Sequence, residues 1–401
     1  LTDGDLFVRE HSWSPDGDKI AFVGGPPRNW YRPRRVHIAD LDEGTVESRT
    51  DSLDRTVAFQ GNPTWIDDEQ VVCAFADEGW TRLVRVSTEE EPERVFDWLP
   101  RDRTLQLFDG DGGTISLAVS DPQEGVDLYT IGTEDLDAGA GDPDPRTRLT
   151  RLNESLVAEH VMPAVRRVEY ENDDGETIEG IVYLPPDFDA DGDGEAAGET
   201  ADPLPLVVSI HGGPMSYDAP EFGFDLAYLV GQGYAVLKPN YRGSTSYGRE
   251  FSEALRGSRG TLETDDVTSG VEHLVEAGWA DPDRTFVTGF SYGGITTAHV
   301  LTRVDTFAAG AAEHGIYDFY SNFGTDDNHL WHEDEFGLPW EEPDTYRDIS
   351  SITRVDEIET PLLITAGEND WRCPPTQAEQ LYLSVKKQGI DAKLVDRKSV
   401  V

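Results

Sequence analysis

Two periodicities divide the chain. Up to about residue 160, apolar positions come in short alternating runs: Lys19 to Val23, Gln70 to Phe75 and Thr114 to Val119. Each run follows an apolar strand end and an acidic or glycine turn, in Trp13-Ser-Pro-Asp-Gly17, Pro63-Thr-Trp-Ile-Asp67 and Leu107-Phe-Asp-Gly-Asp111. A further short run follows each, Arg35 to Asp40, Thr81 to Val86 and Val126 to Ile131. Alternation with period two predicts half-buried strands, and a unit recurring every roughly 40–50 residues predicts propeller blades of several antiparallel strands. About three blades fit, against the 4–8 of a closed ring. The reading is therefore a partial β-propeller over residues 1–160, with a β-sandwich as the alternative; the first residue is Leu1, so a front portion is expected to be missing.

Beyond a hinge at Arg151 to Val165, the period changes. Glu169 to Asn172 and Thr177 to Leu184 read as a hairpin. Pro205 to Ile210 is a continuous apolar run, as a strand covered on both faces requires, and Tyr234 to Leu237 is a second; Thr285 to Phe290, Phe307 to Ala312 and Pro361 to Thr365 read as further strands. Between them, Phe222, Leu226, Leu229 and Val230, and then Val267, Val271, Leu274 and Val275, fall at helical spacing. Thr376 to Gln388 predicts a last helix and Ala392 to Val395 a last strand. Strands alternating with helices predict an α/β-hydrolase type of fold over 161–401, a doubly wound and mostly parallel sheet.

Chemistry concentrates where those strands end. Gly289-Phe-Ser-Tyr-Gly293 is a G-x-S-x-G turn, with Gly294 next to it. Such a turn lifts the serine hydroxyl clear of the backbone, and its glycines remove side chains that would collide. Ser291 is thus the candidate nucleophile, with a plain helix N-cap as its bland alternative. His211-Gly-Gly-Pro214 has the form of a loop whose N–H groups stabilise an oxyanion. Asp370 follows the strand at 361–365, at the sheet edge where catalytic groups of α/β folds gather, and is the candidate acid for orienting a histidine. Serine before aspartate is the chain order of α/β-hydrolases.

Four co-linear segments, His211-Gly-Gly-Pro214, Asn240-Tyr-Arg-Gly-Ser-Thr-Ser-Tyr-Gly248, Gly289-Phe-Ser-Tyr-Gly-Gly294 and Gly367-Glu-Asn-Asp-Trp-Arg-Cys-Pro-Pro375, resemble the prolyl oligopeptidase family of serine peptidases. The acylaminoacyl-peptidase and dipeptidyl-aminopeptidase-like branch is the nearest in pattern, over about Val168 to Leu394. The resemblance implies Ser291 as nucleophile, Asp370 as triad acid and an oxyanion hole from the amides of Gly213 and Tyr292. It also implies a propeller ahead of the catalytic domain, no cofactor, and short peptides as substrates. A carboxylesterase using the same machinery and a non-catalytic binding protein on this fold are the alternatives. One departure matters: all nine histidines precede Asp370, and the chain ends Asp396-Arg-Lys-Ser-Val-Val401. The base is expected just beyond Val401, and the 401 residues alone are expected to be weakly active or inactive.

Composition then limits the partners. The chain has 79 acidic and 33 basic residues, net −46, and six of the basic residues are lysines. Such an excess repels nucleic acid and anionic membranes and destabilises the fold by self-repulsion. Adaptation to a salt-rich cytoplasm is the reading, with high salt needed for folding and homo-oligomers compatible. Cys73 and Cys373 fall in different predicted domains, so no disulfide is expected. Asp187 to Asp202 is an acidic, aperiodic stretch read as a solvated loop, with a calcium loop as its alternative. His329-Leu-Trp-His332-Glu-Asp334 matches no zinc motif and is read as an aromatic, acidic segment, with metal expected at none of these sites. Arg242, His314 and Arg372 are candidates to contact substrate; structural pairing is the alternative for each.

Overall fold

A computed structural model describes residues 2, 4–111, 113–139, 142–188 and 202–398. The acidic stretch at 189–201 and the last three residues lie outside the described residues. The chain forms two compact units. The first holds residues 1–165 together with 219–227 and 245–253; the second holds 166–218, 228–244 and 254–401. A single break at residue 160 therefore leaves out two later segments that belong with the first unit.

The first unit contains three antiparallel sheets. Strands β1 (Phe7–Trp13), β2 (Lys19–Gly25), β3 (Arg35–Asp40) and β4 (Thr45–Ser48) make one. The next comprises β5 (Thr56–Val57), β6 (Thr64–Trp65), β7 (Gln70–Ala76), β8 (Thr81–Ser87) and β9 (Glu93–Val95). The last comprises β10 (Thr104–Asp111), β11 (Thr114–Asp121), β12 (Gly125–Gly132) and β13 (Thr147–Arg148). Period two explains their packing. In β7, Val71, Cys73 and Phe75 share a core with Ala21, Val23, Val36 and Ile38, whereas Val72 and Ala74 share one with Ile115, Leu117 and Val119. The middle sheet is thus covered on both faces, as a blade between blades requires.

The two later segments join this unit through specific bonds. Ser246 Oγ accepts the Gly79 amide at 3.0 Å, and Ser252 Oγ donates to the Tyr31 carbonyl at 3.0 Å. Asn29 Nδ2 donates to Glu253 Oε1 at 2.8 Å.

The second unit is built on an eight-stranded sheet in the order β14-β15-β17-β16-β18-β19-β20-β21. Its strands are β14 (Ala164–Glu171), β15 (Thr177–Leu184), β16 (Leu204–Ile210), β17 (Ala235–Pro239), β18 (Ala280–Phe290), β19 (Ala309–Glu313), β20 (Leu362–Gly367) and β21 (Ala392–Arg397). β15 pairs with β17 antiparallel, and every pairing from β17 through β16, β18, β19 and β20 to β21 is parallel. The order runs outward in both directions from β16, so the loops after β16 and β18 open together at the switch point where α/β sheets bind ligands.

Helices α1 (Leu262–Glu276) and α2 (Tyr292–Leu301) flank this centre; α3 (His329–Phe336) and α4 (Pro375–Lys387) follow. Every residue of α2 is buried, Thr296, Thr297 and His299 included, and the helix carries no Asp, Glu, Lys or Arg. Among the described residues, no helix is long and apolar enough to cross a membrane.

Candidate active site

Ser291 joins β18 directly to α2 with φ 58° and ψ −116°, a conformation rarely adopted by a side-chain-bearing residue. It stands at the N-cap position, yet its side chain makes no capping bond, so the hydroxyl is not spent on the helix. Backbone bonds hold the turn instead. The Ser291 amide donates to the Glu313 carbonyl at 2.9 Å, and the Ser291 carbonyl accepts the Gly294 and Ile295 amides at 2.9 and 3.1 Å. Among the described residues no side chain hydrogen-bonds Ser291 Oγ.

The neighbouring glycines are required by crowding. A Cβ on Gly293 would lie 2.0 Å from the Ile210 carbonyl oxygen at the end of β16, and one on Gly294 would lie 2.3 Å from the Glu313 carbonyl oxygen. Only hydrogen fits at either point. The turn is thereby pressed between the ends of β16 and β19.

The loop after β16 lies against the same turn, since a Cβ on Gly212 would come 3.4 Å from Ser291 Cβ and 3.9 Å from the Tyr292 amide nitrogen. Gly213 has φ +125°, in the region that favours glycine. His211 anchors this loop. Its Nδ1 is 2.8 Å from the Gly212 carbonyl and its Nε2 is 2.9 Å from Ser244 Oγ, while Tyr241 Oη donates to the His211 carbonyl at 2.8 Å. Desolvation pushes this imidazole below its usual pKa and keeps the ring neutral. Ser244 Oγ in turn donates to the Tyr241 carbonyl at 2.6 Å, so the ring, the hydroxyl and the next loop form one chain of bonds.

Tyr292 is fixed from the other side. Its Oη donates to Glu263 Oε1 at 3.0 Å, and the same oxygen accepts the Gly260 amide at 2.7 Å. Burial pushes the Glu263 carboxyl up.

Asp370 lies three residues past β20. Its Oδ1 accepts the Arg372 and Cys373 amides, each at 2.9 Å, and its Oδ2 is 3.2 Å from His314 Nδ1. Both side chains are largely buried, 5% exposed for His314 and 9% for Asp370. His314 follows β19 directly, with φ 50° and its amide bonded to the Thr365 carbonyl at 3.0 Å. Its ring tilts against Phe290 with centroids 5.2 Å apart.

The two candidate arginines are each engaged. Arg242 donates its amide at 2.7 Å and its Nε at 3.0 Å to the carboxylate of Asp266 on α1, and Nη1 at 2.7 Å to Asp174. Asp266 is completely buried and also accepts Asn172 Nδ2 at 2.7 Å. Arg372 pairs with Asp327 at an exposed position. In α3, His332 is buried against Phe319 and His329 is exposed, so the two do not converge as metal ligands. Ser244, Tyr241 and Glu263, which hold the oxyanion loop and the Tyr292 ring, were not singled out from the sequence. Their contacts join positions 29 to 33 residues apart, which no local pattern announces.

Residues 220–399 match the model of the Prolyl oligopeptidase family, a family of serine peptidases. The chain is 30% identical over 381 residues to the uncharacterized peptidase YuxL of Bacillus subtilis, covering 90% of this chain and 54% of that protein. It is 32% identical over 202 residues to the acylamino-acid-releasing enzyme of Arabidopsis thaliana, 48% of this chain and 26% of that protein. The solved structure of Pyrococcus horikoshii acylaminoacyl peptidase superposes with a TM-score of 0.82 at 23% identity, over 98% of this chain and 59% of that one. The likeness at that identity is one of fold. The chain spans about half the length of the first of these relatives.

Proposed function

Because residues 220–399 match the prolyl oligopeptidase family and its relatives are peptidases, we propose that this protein hydrolyses short peptides by acyl transfer through Ser291. The observation that carries the reading is the backbone of Ser291: φ 58° and ψ −116° at a strand-to-helix turn, with a hydroxyl that caps nothing. A strained serine of this kind is held by its surroundings for chemistry rather than for the helix.

In the reaction Ser291 Oγ attacks the scissile carbonyl, the amides of Gly213 and Tyr292 take the oxyanion, and an imidazole oriented by Asp370 moves the proton to the leaving amine. In the chain order of α/β-hydrolases that imidazole follows Asp370, whereas the nine histidines of this sequence precede it. Peptides with a blocked N-terminus are the favoured substrates, in keeping with the acylamino-acid-releasing relatives. Two free, buried cysteines suit a reducing interior. The −46 charge suits one rich in salt.

The test is active-site labelling. In the enzyme produced from its native gene and kept in molar salt, a fluorophosphonate probe labels Ser291, Ser291→Ala removes the label, and acetylated peptide nitroanilides turn over faster than nitrophenyl esters relative to their uncatalysed rates. Labelling that persists in Ser291→Ala would overturn the assignment.

A further inference from the structure

The carboxylate of Asp370 has two faces, and they are served differently. Oδ1 is held by two amides of its own loop, from Arg372 and Cys373. Nothing in that loop reaches Oδ2: the Arg372 guanidinium, the nearest cation in sequence, is turned onto Asp327. The donor at Oδ2 comes from a different strand end, His314 after β19, at 3.2 Å. Glu313, the adjacent carboxylate, accepts Thr288 Oγ1 at 3.0 Å. It does not compete for the imidazole.

A carboxylate has no proton to give, so the proton between them sits on His314 Nδ1. The imidazole is clamped in this orientation by its own φ of 50°, by the amide bond to Thr365 and by the Phe290 ring. The carbonyl of the preceding residue, Glu313, accepts the Ser291 amide at 2.9 Å. The strand end that carries His314 therefore ties the nucleophile turn to the acid.

We propose that His314 is a positioning residue: its Nδ1–H fixes the outer oxygen of Asp370 and thereby sets the orientation of the carboxylate that the catalytic imidazole uses. The inference rests on the assignment of Asp370 in the proposed peptidase mechanism. Without His314, the carboxylate keeps only its two amide bonds on Oδ1 and rotates about them.

The test compares His314→Leu with His314→Asn in the enzyme from its native gene, since the asparagine amide places an N–H near the position of Nδ1. His314→Leu is expected to lower kcat by about 10- to 100-fold, the effect of a lost hydrogen bond to a charged group, with KM within about twofold. His314→Asn recovers most of kcat. A spectroscopic readout independent of turnover uses protein with 15N-labelled histidine: His314 is expected as the Nδ1–H tautomer, in Ser291→Ala protein as well, and Asp370→Ala shifts its Nδ1 proton signal.

A labelled, active wild type with an unchanged His314→Leu variant, or His314 found as the Nε2–H tautomer, would overturn this inference alone. Complete loss of Ser291 labelling in both variants would make His314 the base and overturn the positioning role. An unlabelled wild type would overturn the peptidase reading and this inference with it.

Discussion

Ser244 Oγ lies 2.9 Å from His211 Nε2, and this bond connects the loop after β17 to the loop after β16. The second of these loops carries Gly213. Ser244 Oγ also donates to the Tyr241 carbonyl at 2.6 Å, and the other ring nitrogen of His211 lies 2.8 Å from the Gly212 carbonyl.

Ser244→Ala would therefore leave His211 Nε2 and the Tyr241 carbonyl without their shared Ser244 partner. The expected cost is about 1–3 kcal/mol of stability, measured by urea unfolding. A larger effect falls on kcat than on KM, because a displaced Gly213 amide is missed in the transition state more than in the ground state. A variant equal to wild type in both would show that the oxyanion loop is set by its backbone alone.

Arg242 was legible as a candidate for substrate, and its surroundings point the other way. With its guanidinium against a completely buried Asp266, Arg242→Lys loses the fork geometry and is expected to cost about 2–4 kcal/mol, with KM unchanged. Unfolding curves and Michaelis constants measured on the same preparation separate the roles. A raised KM with unchanged stability would return Arg242 to the substrate.

Much of the fold was readable because its two periods differ. β7 alternates between two cores, β2 turns alternate residues into one of them and β11 into the other, and β16 is mostly buried and apolar, so pattern and burial coincide. What escaped were the outer strands β4, β9 and β13, which are short and carry mixed polar residues such as Thr45-Val-Glu-Ser48. An edge strand buries one side at most and leaves little signal. In the site, glycines and strand ends marked positions 213, 291 and 370, whereas the contact of His314 with Asp370 spans 56 residues of sequence and follows only from β19 and β20 being neighbours.

Acid should act through buried histidines. Desolvation pushes His299 and His332 down to about 3, with nearby Arg303 and Arg259 adding to it. A depressed histidine contributes stability that is present above its unfolded value of about 6.5 and is lost as pH falls toward the folded value. Unfolding is therefore expected to set in between about pH 6.5 and 3, each ring contributing a few kcal/mol. His332 faces Arg259, His329 and Arg372, lies 3.8 Å from Asp326, and neither ring nitrogen has a hydrogen-bond partner. His332→Met should move the acid midpoint, followed by circular dichroism, to lower pH. An unmoved midpoint would assign acid sensitivity to other groups.

Salt is the other lever. At −46, neighbouring carboxylates repel across a Debye length of about 8 Å in ordinary buffer and about 3 Å in molar salt. Helical signal and melting temperature are expected to fall below roughly 0.5–1 M potassium chloride and to recover when salt is restored. A flat response across the titration would contradict the proposed adaptation.

The first unit draws its residues from three separate stretches of sequence, and Gly79 with Ser246, Tyr31 with Ser252 and Asn29 with Glu253 are bonded pairs inside it. A gene cut at codon 166 would therefore strand half of each pair. Recombination that exchanged the front of the gene for a relative's would bring Gly79 and Asn29 substitutes to partners chosen for others. Residues 1–165 and the short stretches 219–227 and 245–253 are bound to be inherited as one, and changes in either are expected to be matched by changes in the other.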